Sequence, residues 1–251
     1  MRKLATIILA AGKGTRMRSE HPKVIFKIAE REMINRVIDT ASSLNSDLIV
    51  VVIGYKKEEV KAVIPQRTDV RFAVQQEQLG TGHAVMVTED HFKGYSGDVI
   101  ILCGDVPLLR SSTLNDLIDR HRQKGFSCTV LTAVMTDPLR YGRIVRSEKG
   151  DFLNITEYKD ASEEIRRIKE INTGIYCFQA EDLFSVLKDV NDVNEQGEYY
   201  LTDTPMLLSE KGKKIGTVLL DDIVEASGVN SLEELKQLEQ ILLDREQQQR
   251  K

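Results

Sequence analysis

A chain of 251 residues, 41% hydrophobic and 29% charged, carries enough apolar content for a sizeable buried core and too much for a disordered polymer. Its formal charge of −4 argues against a general nucleic-acid surface, and no apolar run approaches the roughly 20 residues that cross a bilayer. The three cysteines, Cys103, Cys128 and Cys177, lie in strand-like runs without paired spacing. They read as buried reduced thiols, and with no small-residue cleavage site near the N-terminus they predict a cytoplasmic protein.

The first apolar run, Ala5–Ala10, predicts a strand that ends in a loop, Leu9-Ala-Ala-Gly-Lys-Gly-Thr-Arg-Met17, followed by Pro22-Lys23. Residues 1–27 hold seven Lys or Arg against one acid, Glu20. A positive pole on an acidic chain suits a small anionic ligand. A glycine loop after a strand also reads as a plain tight turn. A dinucleotide fold would want glycine where Met17 stands and an acid where Gly54-Tyr55 stands, and no Walker lysine follows at the required spacing. What remains is a loop of backbone donors with Lys13, Arg16 and Lys23 as added charges, able to cradle phosphates.

Further strands are predicted at Leu48–Ile53, Val70–Val74, Val99–Cys103 and Cys128–Val134, with helices at Met33–Leu44, Lys57–Ile64, Gly82–Phe92 and Ser112–Lys124. Continuous apolar strands alternating with helices predict an α/β fold with a parallel sheet covered on both faces. Gln75 and the Gly80-Thr81-Gly82-His83 turn offer amide groups suited to a pyrimidine edge; Thr81 could equally cap a helix. His83 reads as a packing residue, and His21, His91 and His121 as surface residues. Asp105, after Gly104 at a strand end, reads equally as a Mg²⁺ ligand or a turn aspartate.

After Asp137-Pro138 the pattern changes. Tyr141–Arg146 and Phe152–Tyr158 read as strands around a turn at Lys149-Gly150-Asp151, then a short helix Ser162–Ile168 and a strand Gly174–Phe178. This half is expected to be mixed or antiparallel and to lie over the nucleotide site. Ser231 and Glu234 form a capping box ahead of a helix with an apolar stripe at Leu232, Leu235, Leu238 and Leu242. No Ser-His-Asp or Cys-His constellation can be assembled, which disfavours acyl transfer and hydrolysis.

The ordered set Leu9–Met17, Pro22-Lys23, Gln75 with Leu79–His83, Gly104–Leu108, Tyr141–Arg143, Glu157 with Lys159–Ala161, Asn172–Ile175, Gly197–Asp203 and Gly228–Asn230 resembles the sugar-phosphate nucleotidyltransferases. Within them it is most similar to the uridylyltransferase domain of the bifunctional N-acetylglucosamine-1-phosphate uridylyltransferase/glucosamine-1-phosphate acetyltransferases. The resemblance runs from Leu4 to about Asn230. It implies a Rossmann-like, mixed but mostly parallel sheet flanked by helices, of the nucleotide-diphospho-sugar transferase type, with a C-terminal helix.

By position, it implies that Ala10, Ala11, Gly12, Gln75 and Gly80 hold the uridine part, and that Gly14, Thr15, Arg16 and Lys23 face the phosphates. Asp105 and Asn230 would bind Mg²⁺. Thr81, Gly142, Glu157, Asn172, Tyr200 and Thr202 would contact the amino sugar, with Thr81 at the border of both pockets. Arg16, Lys23 and Asp105 are the expected catalytic groups, and UTP and a sugar 1-phosphate the expected substrates, with no nucleic acid or membrane partner. The expected division is a nucleotide-binding part over about 1–136, a sugar-binding part over about 137–230, and a helix with a polar tail over 231–251. Cys103 stands where the family usually has Tyr, and Ser231-Leu232 where it usually has a polar residue and Arg. The chain shows no hexapeptide repeat, so the trimerising β-helix of the bifunctional enzymes is not expected in it and oligomeric state stays open. Alternatives are a transferase for another sugar phosphate or for CTP or dTTP, and a non-catalytic sugar-nucleotide sensor. The sensor is disfavoured because Lys23, Asp105 and Asn230 are all present.

Overall fold

The computed structural model describes residues 2–17 and 19–249, the side chains of Thr15, Glu246, Gln248 and Gln249 excepted. In chain order the strands and helices are β1 Leu4–Ala10, β2 Lys27–Ile28, β3 Arg31–Glu32, α1 Met33–Ser43, β4 Leu48–Ile53, α2 Lys57–Val63, β5 Val70–Val74, α3 Thr81–Met86, β6 Asp98–Cys103, α4 Ser111–Lys124, β7 Cys128–Val134, β8 Arg143–Arg146, β9 Phe152–Thr156, α5 Glu163–Arg166, β10 Glu170–Gln179, α6 Ala180–Val186, α7 Thr204–Glu210, β11 Ile215–Leu219 and α8 Leu232–Gln249.

Nine strands form one sheet in the order β11-β7-β10-β6-β1-β4-β5, with β8 pairing β10 and β9 pairing β8; β2 and β3 form a separate ribbon. β1 runs parallel to both β4 and β6, β4 parallel to β5, and β7 parallel to β11. β10 is antiparallel to both of its central neighbours, β6 and β7. The sheet is therefore mixed and mostly parallel, as expected. Val, Ile and Leu fill its central strands because both faces are covered. Leu4, Ile8 and Ala10 of β1 join the cluster beneath α1, α2 and α4, while Ala5 and Ile7 join the one beneath α3 and α6.

The register sets the site. Ala10 lies opposite Ile53 and Leu9 opposite Cys103, so the loops after β1, β4 and β6 leave one edge together. That is the carboxyl edge, where open α/β sheets hold ligands. A register shift in β10 between Asn172 and Tyr176 bulges the strand beside Cys103, whose thiol lies 3.6 Å from the Gly174 carbonyl. Bulges re-aim side chains at such places.

Several expected bounds move. The helix expected over Gly82–Phe92 is α3 followed by a separate 3₁₀ turn at Glu89–Phe92. β10 is twice the expected length, and β11, α6 and α7 had no expectation at all. His121, expected at the surface, is fully buried: it lies 2.9 Å from the Thr129 hydroxyl and 3.5 Å from the Asp98 carboxylate. A helix face read as solvated is covered by the start of β6. His21 is exposed and pairs with Glu59 at 2.7 Å. Cys128 and Cys177 are buried free thiols.

The C-terminal helix docks on a third cluster that joins Met17, Ile28, Met33, Leu108, Val229, Leu235 and Leu238. Each such side chain contributes roughly 1.5–3 kcal/mol when fully buried. Met17, the residue that stands where a dinucleotide fold has glycine, is thus the anchor of the glycine loop under α8. Leu232 departs from its expected stripe and is exposed, since it opens the helix before the docked turns begin.

Candidate active site

The glycine loop turns at Gly14, whose φ of +61° lies in the left-handed region. A Cβ there would fall 2.8 Å from the Lys23 Cβ. Glycine is required on both counts, because it lets Lys23 pass against the loop backbone. Ala11 is buried behind the loop, while a side chain at Gly12 would meet open space. The Thr15 side chain lies outside the described residues.

Lys23 reaches across to two other segments. Its ammonium donates to the Asp105 carboxylate and, at 3.1 Å, to the Asn230 amide oxygen. The Arg16 guanidinium donates to the same amide oxygen at 2.8 Å. Four of the expected phosphate and metal residues therefore meet at one point. Among the described residues no group of three or more His, Cys, Asp or Glu is placed to hold a metal. One carboxylate and one amide oxygen converging on a single cationic group nevertheless suit a hard ion that keeps most of its water.

Asn230 is placed by groups that the sequence reading did not assign. Glu234 accepts the Asn230 backbone N–H at 2.6 Å, while its own N–H donates to the Ser231 hydroxyl at 3.1 Å. The capping box thus exists with one arm moved by a residue: the carboxylate starts α8 and fixes Asn230 together. Upstream, the buried Glu225 carboxylate accepts from the Arg110 side chain, from the Arg110 backbone N–H at 3.0 Å and from Thr113 at 2.7 Å. The Val229 N–H donates to the Asp105 carbonyl at 3.0 Å, closing the link between the two halves of the site.

On the expected base side, Gln75 is buried and its amide donates to the Gly80 carbonyl at 2.9 Å. Gly80 has φ +107°, and a Cβ there would fall 2.6 Å from the Tyr199 carbonyl. Thr81 does not cap α3; its hydroxyl accepts the Leu201 N–H at 3.1 Å. With Gly82 N–H donating to Tyr199 O at 2.7 Å and Tyr199 N–H to Leu79 O at 2.8 Å, the 79–82 and 199–201 segments are stitched together.

The expected sugar residues gather beside them. Asn172 N–H donates to the Gly142 carbonyl at 2.9 Å, and Thr202 donates to the Glu157 carboxylate at 3.1 Å. Burial, with Asp160, Asp203 and Glu198 nearby, raises the Glu157 pKa. Burial, then Asp160, pushes Asp203 up to about 6. Asn172 Oδ1 accepts the Gly174 N–H at 3.0 Å, which fixes the bulge. The Tyr200 hydroxyl is engaged elsewhere: it donates to Asp160 at 3.1 Å and accepts from Gln196 at 2.7 Å. Burial pushes the Cys103 thiol up to about 12, which removes it as a thiolate nucleophile at neutral pH.

The Nucleotidyl transferase family model matches residues 5–223, spanning the glycine loop, Asp105 and the expected sugar residues together. The chain belongs to that family. Its curated relatives include bifunctional protein GlmU of Acetivibrio thermocellus, 44% identical over 242 residues that cover 96% of this chain and 52% of the relative. Bifunctional protein GlmU of Clostridium novyi is 44% identical over 95% of this chain and 52% of the relative, and that of Bacillus velezensis 43% over 98% and 53%. The chain spans about half the length of the curated relatives it matches. A crystal structure from Bacillus anthracis, described as a candidate glucose-1-phosphate thymidylyltransferase, superposes with a TM-score of 0.73 at 17% identity, covering 95% of this chain and 94% of that one. The nucleotidyl transferase fold is therefore shared well beyond recognisable sequence. No helix among the described residues is long and apolar enough to cross a membrane.

Proposed function

We propose that this nucleotidyl transferase moves a uridylyl group from UTP to N-acetylglucosamine 1-phosphate, releasing pyrophosphate. The observation that carries the reading is the convergence of Lys23 and Arg16 on Asp105 and Asn230 at the mouth of the glycine loop. The curated relatives named above support it. Residues 1–136 form the nucleotide part in this reading, 137–230 the sugar part, and 231–251 the closing helix and tail.

The second pKa of a sugar phosphate is ~6, so its oxygen reaches the site as a nucleophile at neutral pH and needs no general base. That oxygen attacks the α-phosphorus, and the bond to the β-phosphate oxygen breaks. The obstacle is repulsion between two anions, so binding, in-line placement and charge neutralisation carry the reaction. Arg16 and Lys23 would donate to the phosphates that become pyrophosphate. In doing so Lys23 would give up its bonds to Asp105 and Asn230, which would then hold Mg²⁺. A bound Mg²⁺ supplies charge neutralisation to the substrate phosphates. Gln75 and the Gly80–Thr81 turn would meet the pyrimidine edge. Glu157 and Asn172 would meet a hydroxyl and the acetamide, with Thr202 orienting the carboxylate and Gly142 leaving it space. Tyr200 would shape this pocket with its ring, since its hydroxyl is held by Asp160 and Gln196.

The test mixes UTP and Mg²⁺ with a panel of sugar 1-phosphates and follows pyrophosphate release. Release with N-acetylglucosamine 1-phosphate above glucose 1-phosphate is expected. Release with CTP or dTTP in preference to UTP would overturn the nucleotide assignment, and no release with any pair would overturn transfer.

A further inference from the structure

A cavity of about 600 Å³ opens beside the Asp105–Asn230 pair, and Arg16 and Arg140 both line it. None of the residues expected to hold the base (Gln75, Gly80, Thr81) or the sugar (Glu157, Asn172, Tyr200, Thr202) contributes to its wall. Its wall joins Arg16 to both expected metal ligands, Asp105 and Asn230, with Tyr141 and Thr173, the sequence neighbours of Gly142 and Asn172, on the same wall.

Arg140 is exposed and has no hydrogen bond or ion pair among the described residues. The loop that carries it is unusual. Leu139 has φ +45°, a conformation that costs an L-residue free energy, and its apolar side chain is 56% exposed. Neither burial nor local preference explains that geometry. Arg143 fastens it: its side chain is buried with no carboxylate partner among the described residues. Its guanidinium donates to the carbonyls of Leu139 at 3.1 Å and Arg166 at 3.2 Å, and also to Tyr141. Leu139 N–H further donates to Asp137 at 3.3 Å. Strained backbone persists where its surroundings over-determine it, and such places cluster at ligand clamps. Here the strained residue precedes a guanidinium, unpaired among the described residues, on the wall of a cavity that already contains Arg16.

We propose that Arg140 binds the β- and γ-phosphates of the nucleotide, and the pyrophosphate they become, together with Arg16 on the wall of the same cavity. The inference rests on the reading above and adds a residue to it. A bidentate guanidinium–phosphate contact suits the geometry, because such a fork matches two phosphate oxygens.

The test is calorimetric binding of Mg²⁺–pyrophosphate, UTP and UMP to the protein and to Arg140→Ala and Arg140→Gln. Loss of one charge-assisted contact should weaken pyrophosphate and UTP by about ten- to a hundredfold while leaving UMP and the thermal midpoint unchanged. Unchanged pyrophosphate binding in both variants would overturn the proposal. Equal weakening of UMP would also overturn it, making Arg140 a loop residue only. Failure of the unsubstituted protein to bind UTP and pyrophosphate would instead overturn the transferase reading, and this proposal with it.

Discussion

The Lys23 ammonium stands between the Asp105 carboxylate and the Asn230 amide oxygen, donating to both. A divalent ion would compete with the lysine for the same two oxygens. Lys23→Gln should therefore bind Mn²⁺ more tightly in the absence of nucleotide, measured by the loss of its free electron-paramagnetic signal. Its kcat should fall by roughly 10²-fold or more, the scale for removing one transition-state donor. A variant with weaker Mn²⁺ binding, or with an effect confined to KM, would remove this role. Asp105→Ala should abolish turnover with an unchanged circular dichroism spectrum, and substantial activity at saturating Mg²⁺ would count against the metal assignment.

Gly14→Ala tests the loop that lets Lys23 through. The left-handed φ costs a non-glycine residue roughly 1–2 kcal/mol, and the new Cβ meets the Lys23 Cβ at 2.8 Å. A midpoint lower by a few degrees is expected at this chain length, accompanied by a larger loss in kcat than in stability. Full activity would show that Lys23 need not lie against the loop.

For the sugar pocket the measurement is selectivity. Asn172→Ala should reduce kcat/KM for N-acetylglucosamine 1-phosphate by about tenfold, the scale of one lost hydrogen bond with its partner left unsatisfied. Glucose 1-phosphate should be affected less. Equal losses for both sugars would show that Asn172 acts through the Gly174 bulge it fixes and not through the acetamide.

Asp203 predicts a pH dependence of stability. Burial, then the nearby Asp160 charge, pushes its pKa up to about 6, above the 3.8 of an unperturbed aspartate. Between those values the folded protein holds a proton that the unfolded chain has released, so unfolding free energy falls as pH rises through this window. The full cost is present above about pH 6. At about 1.4 kcal/mol per pKa unit, discounted for partial exposure, the effect is on the order of 1–2 kcal/mol. Urea unfolding of Asp203→Asn at pH 4.5 and pH 7 should show a smaller fall across that interval than the parent protein. Equal falls would place the pH dependence elsewhere.

The parallel core was legible because its signal is local. Runs such as Leu48–Ile53 and Val99–Cys103 are continuous, β-branched and bounded by turns, so the strands fall almost where expected. β11 escaped notice because Ile215–Leu219 alternates between half-buried, buried and exposed positions at a sheet edge, where apolar continuity is not required. His121 escaped because helical periodicity marks a face, while only β6 and β7 decide whether that face is covered. Glu234 was visible as half of a capping box, yet its hold on Asn230 depends on how the chain enters α8.

Composition and order along the chain thus determined the class of fold, the glycine loop with its cations, and the family to which those motifs belong. Tertiary structure alone decided that Lys23 bridges Asp105 and Asn230, that Met17 is pinned beneath the last helix, and that Arg140, unpaired among the described residues, lines the cavity beside Asp105 and Asn230. The physical reason is one of range. Strand propensity and loop chemistry act between near neighbours, whereas a charge finds its partner only after packing has brought distant segments within a few ångströms.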